Sequence, residues 1–214
     1  MQSANTEKNR FEWKALLVDE GVAITAEMEA RLERHCALIR AWNEMAGVVS
    51  PHDLGHLWDR HVVDSLSLAA LITQYTSAGR PLLDIGSGGG FPAIPVKVVL
   101  PELPLVLVER SMKKVGFLRK VVGELRLQDV SVIHGSFPEV VEGLNPGVIT
   151  ARAVEKPDKL QTLVKAFVES GAVYLCQARE PQYLAEVFYV ELMEDAWVDA
   201  GLRRGSLRLV RSRV

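Results

Sequence analysis

The sequence predicts an α/β fold, a doubly wound and largely parallel sheet behind an N-terminal helical extension. Three observations carry that expectation. Before residue 78 apolar side chains recur only at helical spacing, whereas from Leu82 onward short apolar runs alternate with helical segments. The first of those runs ends in a glycine-rich turn, LLDIGSGGGFPAIP over residues 82–95. The expected division is therefore a helical extension, 1–78, packed on a main domain, 79–214.

In the extension, Thr25 is placed to cap a helix with Glu27 and Glu29 in its first turn. Met28, Leu32, Cys36, Ile39, Trp42 and Ala46 then line one face. A second amphipathic helix is expected from Leu57 to about Tyr75, with Trp58, Val62, Leu66, Ala69 and Ile72 on its apolar side, and Ser77 to Pro81 read as a linker. Strands are expected at 82–85, 105–109, 130–133, 148–152 and 172–176, and Pro92 to Leu100 reads as a short helix. The tail, Gly205 to Arg211, reads as a last strand, antiparallel at the far end of the sheet. Open α/β sheets bind ligands at the carboxyl ends of their strands, which gathers Asp84, Gly86, Glu109, Gly135 and Arg152 on one rim.

The loop says what kind of ligand that rim takes. Glycines behind a strand let a ligand approach the backbone closely. Gly86, Gly88 and Gly90 are spaced G-x-G-x-G, and Phe91 stands where a dinucleotide fingerprint has its third glycine. No lysine follows for a phosphate loop. A carboxylate at Asp84 repels a pyrophosphate and attracts a cation. Glu109, about 20 residues beyond the loop, stands where an acid grips ribose hydroxyls. S-adenosyl-L-methionine offers both a ribose and a positively charged methionine end.

The 214 residues suit one substantial domain, and the formal charge of -2 gives no global attraction to nucleic acid or to an anionic membrane. Cys36 and Cys176 are too few for a disulfide framework and lack metal-ligand spacing, so reduced core cysteines and no metal are expected. Without an apolar signal core or a run long enough to span a bilayer, the expected address is the cytoplasm, with no membrane partner. Positive charge concentrates at Arg110, Lys113, Lys114, Arg119, Lys120 and Arg126, and again at Arg203, Arg204, Arg208, Arg211 and Arg213. Of these, Lys113 and Lys114 gain weight from lying beside Glu109. His61, Asp64 and Ser65 fall within one helical turn and do not form a hydrolase triad. Arg60 and His61 are expected on the helix rim, with Asp64 holding one of them at i,i+3 or i,i+4.

An ordered set of motifs resembles a known family: Trp42-Asn43, then Arg60-His61-Val62-Val63-Asp64-Ser65-Leu66, then Leu83 to Pro95 through the glycine loop. Lys113-Lys114-Val115-Gly116-Phe117-Leu118 and Arg152-Ala153 follow in the same order. Together they are similar to the bacterial RsmG type, also called GidB, over most of the chain. The resemblance implies a Rossmann-like class I S-adenosylmethionine-dependent methyltransferase sheet that modifies guanine N7 in 16S ribosomal RNA. It places Gly86 and Phe91 on the cofactor, where the loop's own spacing and charge already put Gly88 and Asp84, with Glu109 on its ribose and Phe137 and Pro138 on its adenine. Arg152 falls on the rim beside cofactor and target, as the residue expected to act in catalysis. Arg60, His61, Lys113 and Lys114 are the expected RNA contacts. The partner implied is 16S ribosomal RNA or the small ribosomal subunit, met by a monomer.

Several positions depart from the family's pattern. Gly47-Val48-Val49 stands where Asn-Leu-Thr is usual, and Ala93 replaces the glycine between the loop's prolines. Ser136-Phe137-Pro138 replaces Arg-Ala-Glu after Gly135, and Gln177 replaces a lysine. Two other readings therefore stand beside the first: an S-adenosylmethionine-binding RNA-binding protein without activity, and a methyltransferase with another target. An NAD oxidoreductase ranks last, because of Phe91 and Asp84.

Overall fold

The computed structural model describes residues 12–76, 79–152, 157–177, 182–203 and 205–213. Ser77 and Ala78 of the expected linker, Ala153 of the Arg-Ala pair and Arg204 of the tail lie outside the described residues. Helix α1 comprises residues 12–19, and α2 runs Ala26–Ala46. Thr25 starts α2 in an extended conformation, its side chain accepting from the Met28 amide. Gly47 ends it in the left-handed region, φ 57°, with its N–H on the Asn43 carbonyl.

The segment expected as one helix from 57 to 75 is broken. A 3-10 stretch, Pro51–His56, leads into a π-helical turn, Trp58–Val62, then α3 (Val63–Leu66) and α4 (Ala69–Tyr75). Serines divert the backbone bonding here. Ser65 Oγ donates to the His61 carbonyl and Ser67 Oγ to the Asp64 carbonyl, while Arg203 takes both the oxygen and the hydroxyl of Ser67. Periodicity of apolar residues survives such a break, which is why it was not visible in the sequence.

Among the described residues, seven strands form one sheet in the order β3-β2-β1-β4-β5-β7-β6. They are β1 Leu82–Ile85, β2 Leu105–Glu109, β3 Val130–His134, β4 Val148–Ala151, β5 Val173–Cys176, β6 Tyr189–Leu192 and β7 Arg208–Arg211. β1 to β5 are parallel neighbours, and the tail strand β7 runs antiparallel between β5 and β6. β7 thus lies one strand in from the edge, and β6 is the edge strand that the sequence did not announce. Three of its four residues are exposed, so it carries no alternating apolar signal. Between strands lie α5 (Ala93–Val99), α6 (Met112–Glu124), α7 (Pro157–Glu169), α8 (Gln182–Ala185) and α9 (Ala196–Asp199).

Strand alternation sorts the core into two layers. Leu82, Leu105 and Leu107 face a cluster that includes Trp13, Leu17, Leu32 and Ile39 of the first two helices and Ile94 and Val98 of α5. Leu83, Ile85, Val106 and Val108 face the other way, toward Leu163, Val164 and Val168 of α7. The N-terminal helices thus join α5 and α6 in the apolar layer on one side of the sheet. At roughly 1.5–3 kcal/mol for each fully buried large aliphatic side chain, this contact dominates their attachment.

The C-terminal segment ties the same helices down by polar means. Trp197, fully buried, donates its indole N–H to Glu20 at 2.8 Å, and Arg203 joins Asp195 at 2.7 Å as well as Ser67. Arg203, read in the sequence as part of a charged tail, is 7% exposed and serves the packing. Among the described residues no helix is long and apolar enough to cross a membrane.

Candidate active site

β1 and β2 end side by side, and the glycine loop folds over their carboxyl ends. Gly86, Gly88 and Gly90 have φ of 73°, 51° and 85°, a region closed to most side-chain-bearing residues. The Gly86 and Ser87 amides both donate to the Val108 carbonyl, and Ser87 Oγ donates to the Asp84 carbonyl. At Gly90 a Cβ would also stand 2.5 Å from Ile94 Cγ1, so the loop can lie flat on the start of α5 only without one.

Glu109 fastens this loop from the neighbouring strand. Its Oε2 accepts from the Gly88 amide at 3.0 Å and its Oε1 from the Ser111 amide at 2.8 Å. A carboxylate has about four lone-pair sites, so acceptor capacity remains for hydroxyl groups. Asp84 lies under the loop, 1% exposed, and takes the Thr150 hydroxyl at 2.7 Å on Oδ1. Its Oδ2 is buried with no hydrogen-bond partner. Burial raises its pKa to about 7, against the opposing bond from Thr150.

The opposite wall comes from the helical extension. Val48 and Val49 lean on Gly89, whose Cβ, if present, would be 3.2 Å from the Val48 carbonyl. Asn43 sets this segment by accepting the Val49 amide at 2.9 Å. Phe91 packs against two imidazoles, His35 and His61, each with its ring centroid 4.9 Å away. His35 bonds the Gly89 carbonyl at 2.8 Å through Nε2, which must therefore carry the proton, and burial lowers its pKa to about 4. Burial, then the nearby Arg152 charge, also lowers the His61 pKa, so both rings are neutral at pH 7.

Glycine loop and wall enclose an open cleft of about 490 Å³, lined by Val48, Ser50, Asp53, Arg60, His61, Gly86, Gly88, Phe91, Lys114 and Arg152 among others. That volume lies in the range usual for small-molecule sites. The structure thus brings Gly86, Gly88, Phe91, Arg60, His61, Lys114 and Arg152 together, with Asp84 and Glu109 beneath the loop. Lys113 is exposed on α6 and outside the lining. Phe137 and Pro138 are outside it too: Phe137 is half-buried against the second apolar layer and Pro138 is exposed.

The charge pairing differs from the expectation. Arg60 is held by Asp53, at 3.0 Å, and not by Asp64. Asp64 is completely buried and points inward, where it forms an ion pair with Arg152 and accepts from Gln177 at 3.3 Å. A residue on the inner side of a helix turn cannot serve the rim on which Arg60 lies. Burial lowers the Arg152 pKa to about 10, still well above neutrality. Gln177, at the usual lysine position, gives Asp64 a neutral donor and leaves Arg152 as its cationic partner at the cleft.

Sequence reasoning missed His35, Asp53 and Thr150. Ser50 and Asp53 are spaced as a capping pair, a signal that was present, and Ser50 does accept the Asp53 amide. His35 sits beside Cys36 on an apolar helix face and gave no sign of its partner, 54 positions away.

Residues 28–187 match the family model described as GidB, rRNA small subunit methyltransferase G. The chain belongs to this family. Ribosomal RNA small subunit methyltransferase G of Sorangium cellulosum is 37% identical over 182 residues, 83% of this chain and 73% of that protein. The protein of the same name from Geobacillus thermodenitrificans is 31% identical over 183 residues, covering 82% and 75% of the two chains. Among solved structures, a variant of MtNAS in complex with S-adenosylmethionine superposes with a TM-score of 0.58 at 14% identity, over 93% of this chain and 76% of that one. The human methyltransferase 10 domain containing protein gives 0.55 at 13% identity, over 90% and 100%. At such identities the likeness shows the fold, a Rossmann-like α/β sheet with flanking helices, and the family match rests on the sequence.

Proposed function

We propose that this GidB-family protein transfers a methyl group from S-adenosylmethionine to N7 of a guanine in 16S ribosomal RNA. The observation that carries the reading is the cleft in which the glycine loop of β1 meets Arg60 and His61 of the helical wall, with Lys114 of α6 and Arg152 after β4. The residues present fit the cofactor. The left-handed glycines expose a bare backbone surface, Glu109 keeps free lone pairs at the loop, and the unpartnered oxygen of Asp84 lies directly beneath it. When bound, S-adenosylmethionine supplies an electrophilic methyl group on a sulfonium.

Gly86, Gly88 and Phe91 would hold it on the loop side, with Glu109 at the ribose and Asp84 under the loop. Phe137 and Pro138, on the turn after β3, are assigned to the adenine. Their turn begins at Gly135, whose amide donates to the Glu109 carbonyl. Guanine N7 carries an in-plane lone pair, so the protein need not remove a proton. The cleft agrees: its histidine is neutral, and hydrogen bonds from Ser50 and then Arg60 hold the Asp53 pKa at about 2, too low for a useful base. Catalysis then rests on alignment, with Arg152 fixed by Asp64 beside the reacting groups.

Arg60, His61 and Lys114 contact the RNA, with Lys113 reaching phosphates further out. The protein works as a monomer in the cytoplasm, with 1–78 as a wall-forming extension of the domain 79–214. The test is transfer of labelled methyl to small ribosomal subunits and to naked 16S RNA from cells lacking this protein, followed by mapping of the base. Label on one guanine N7 is expected; cofactor binding without any label would overturn the reading.

A further inference from the structure

We infer that Asp53 reads the Watson–Crick edge of the target guanine and is the specificity-determining residue of the cleft. The inference rests on the methyltransferase reading above and goes on to say how this chain selects its base. Of the described residues that line the cleft, Asp53 is the only carboxylate, and it stands among Arg60, Lys114 and Arg152. An ionised acid on a surface that must accept a polyanion opposes binding of every phosphate. Such a group has a use if it meets donors that only the correct base presents.

The hydrogen bonding of Asp53 leaves room for two such donors. Ser50 Oγ donates to Oδ2 at 2.7 Å, and Arg60 donates to Oδ1 at 3.0 Å. The two oxygens offer about four lone-pair sites, so each keeps one. His61 Nε2, 3.6 Å from Oδ2, is too far to use the remaining site and has no hydrogen-bond partner. Ser50 and Arg60 also orient the carboxylate, and their hydrogen bonds keep it ionised. The side chain is 24% exposed.

Guanine is the only unmodified RNA base with two adjacent donors on its pairing edge, N1–H and the N2 amine. Adenine, cytosine and uracil each present an acceptor next to their donor. Two parallel N–H groups match the two free sites of one carboxylate in a bidentate pair. N7 lies on the opposite edge of the purine, so a guanine held this way keeps N7 unobstructed. Asp53 comes from the helical extension and the glycine loop from the sheet, so base choice and cofactor binding reside on opposite walls.

The test compares 16S RNA, assembled by ligation, that carries guanosine or inosine at the mapped base. Inosine lacks only the N2 amine and retains N7. Wild type is expected to show a kcat/KM about 10- to 100-fold lower for inosine, because one carboxylate oxygen is left without its donor. Asp53→Ala is expected to lower kcat/KM on guanosine and to bring the guanosine-to-inosine ratio close to one. Asp53→Asn, which preserves size and one acceptor, is expected to fall between. A merely structural Asp53 would lower activity on both RNAs and leave the ratio untouched. Equal use of the two RNAs by wild type, or an unchanged ratio in Asp53→Asn, overturns the inference while leaving the methyltransferase reading intact. No transfer to guanosine RNA by wild type would sink both.

Discussion

The two walls of the cleft are held by different means. On the sheet side, the glycine loop is fixed by backbone conformation and by amides bonded to Val108 and Glu109, all within one strand-loop-strand unit. On the helical side, the wall is fixed by side-chain pairs that reach far along the chain: Asp64 to Arg152, Asp64 to Gln177 and His35 to Gly89. The first wall is sensitive to any added atom. The second is sensitive to any lost charge or donor. The comparison also explains where this chain departs from its family pattern without losing the loop. Gly47, Val49 and Gln177 belong to the side-chain wall, where one pairing scheme can replace another, and the loop keeps Gly86, Gly88 and Gly90, with Ala93 its one exchanged glycine.

The largest effect should come from breaking the buried pair on the helical side. Asp64→Ala leaves Arg152 without its partner and is expected to cost about 3–5 kcal/mol in chemical denaturation. A loss under about 1 kcal/mol would mean that water or another group already carries that charge. Next comes the sheet side's own ionisable group. Asp84 has a folded pKa of about 7, above the ordinary value of 3.8. Its contribution is fully present below about pH 4 and is lost as pH rises through 7. The loss should be on the order of 2–4 kcal/mol. Asp84→Asn should therefore flatten the stability profile across that window and be the more stable protein at pH 8. Parallel profiles for the two proteins would show that Asp84 stays ionised.

A smaller effect tests the backbone wall directly. Gly90→Ala adds a methyl group at φ 85° against Ile94 and is expected to cost about 2 kcal/mol, read as a fall in Tm of about 4–8 °C. Gly116→Ala on the exposed face of α6 meets nothing within 4 Å and should stabilise by about 0.5–1 kcal/mol. Equal shifts in both would deny the loop its special geometry. The smallest effect separates the two lysines. Lys114→Ala should reduce the salt slope of RNA binding by about 1, and Lys113→Ala, outside the cleft, by less. Titration at several salt concentrations measures both.

The parts of the site legible in the sequence are those encoded locally. The loop glycines, Glu109 about 20 residues on and the alternating strands could be read because φ requirements and period-two burial act over a few residues. Thr25 marks the start of α2 for the same reason. Other features were silent. The break at Ser67 depends on Arg203, 136 positions away. The edge strand β6 depends on β7 being there to pair with it.

The sequence by itself thus determined the fold class, the ligand-binding loop and the family, since these follow from local conformational limits and an ordered set of motifs. Only the tertiary structure decided that Asp53, not Asp64, holds Arg60, that Asp64 is spent on Arg152, and that Arg203 is a core residue. Charge pairing is chosen by distance in space. Every acid in a sequence is a candidate partner for every base until packing removes most of them from reach.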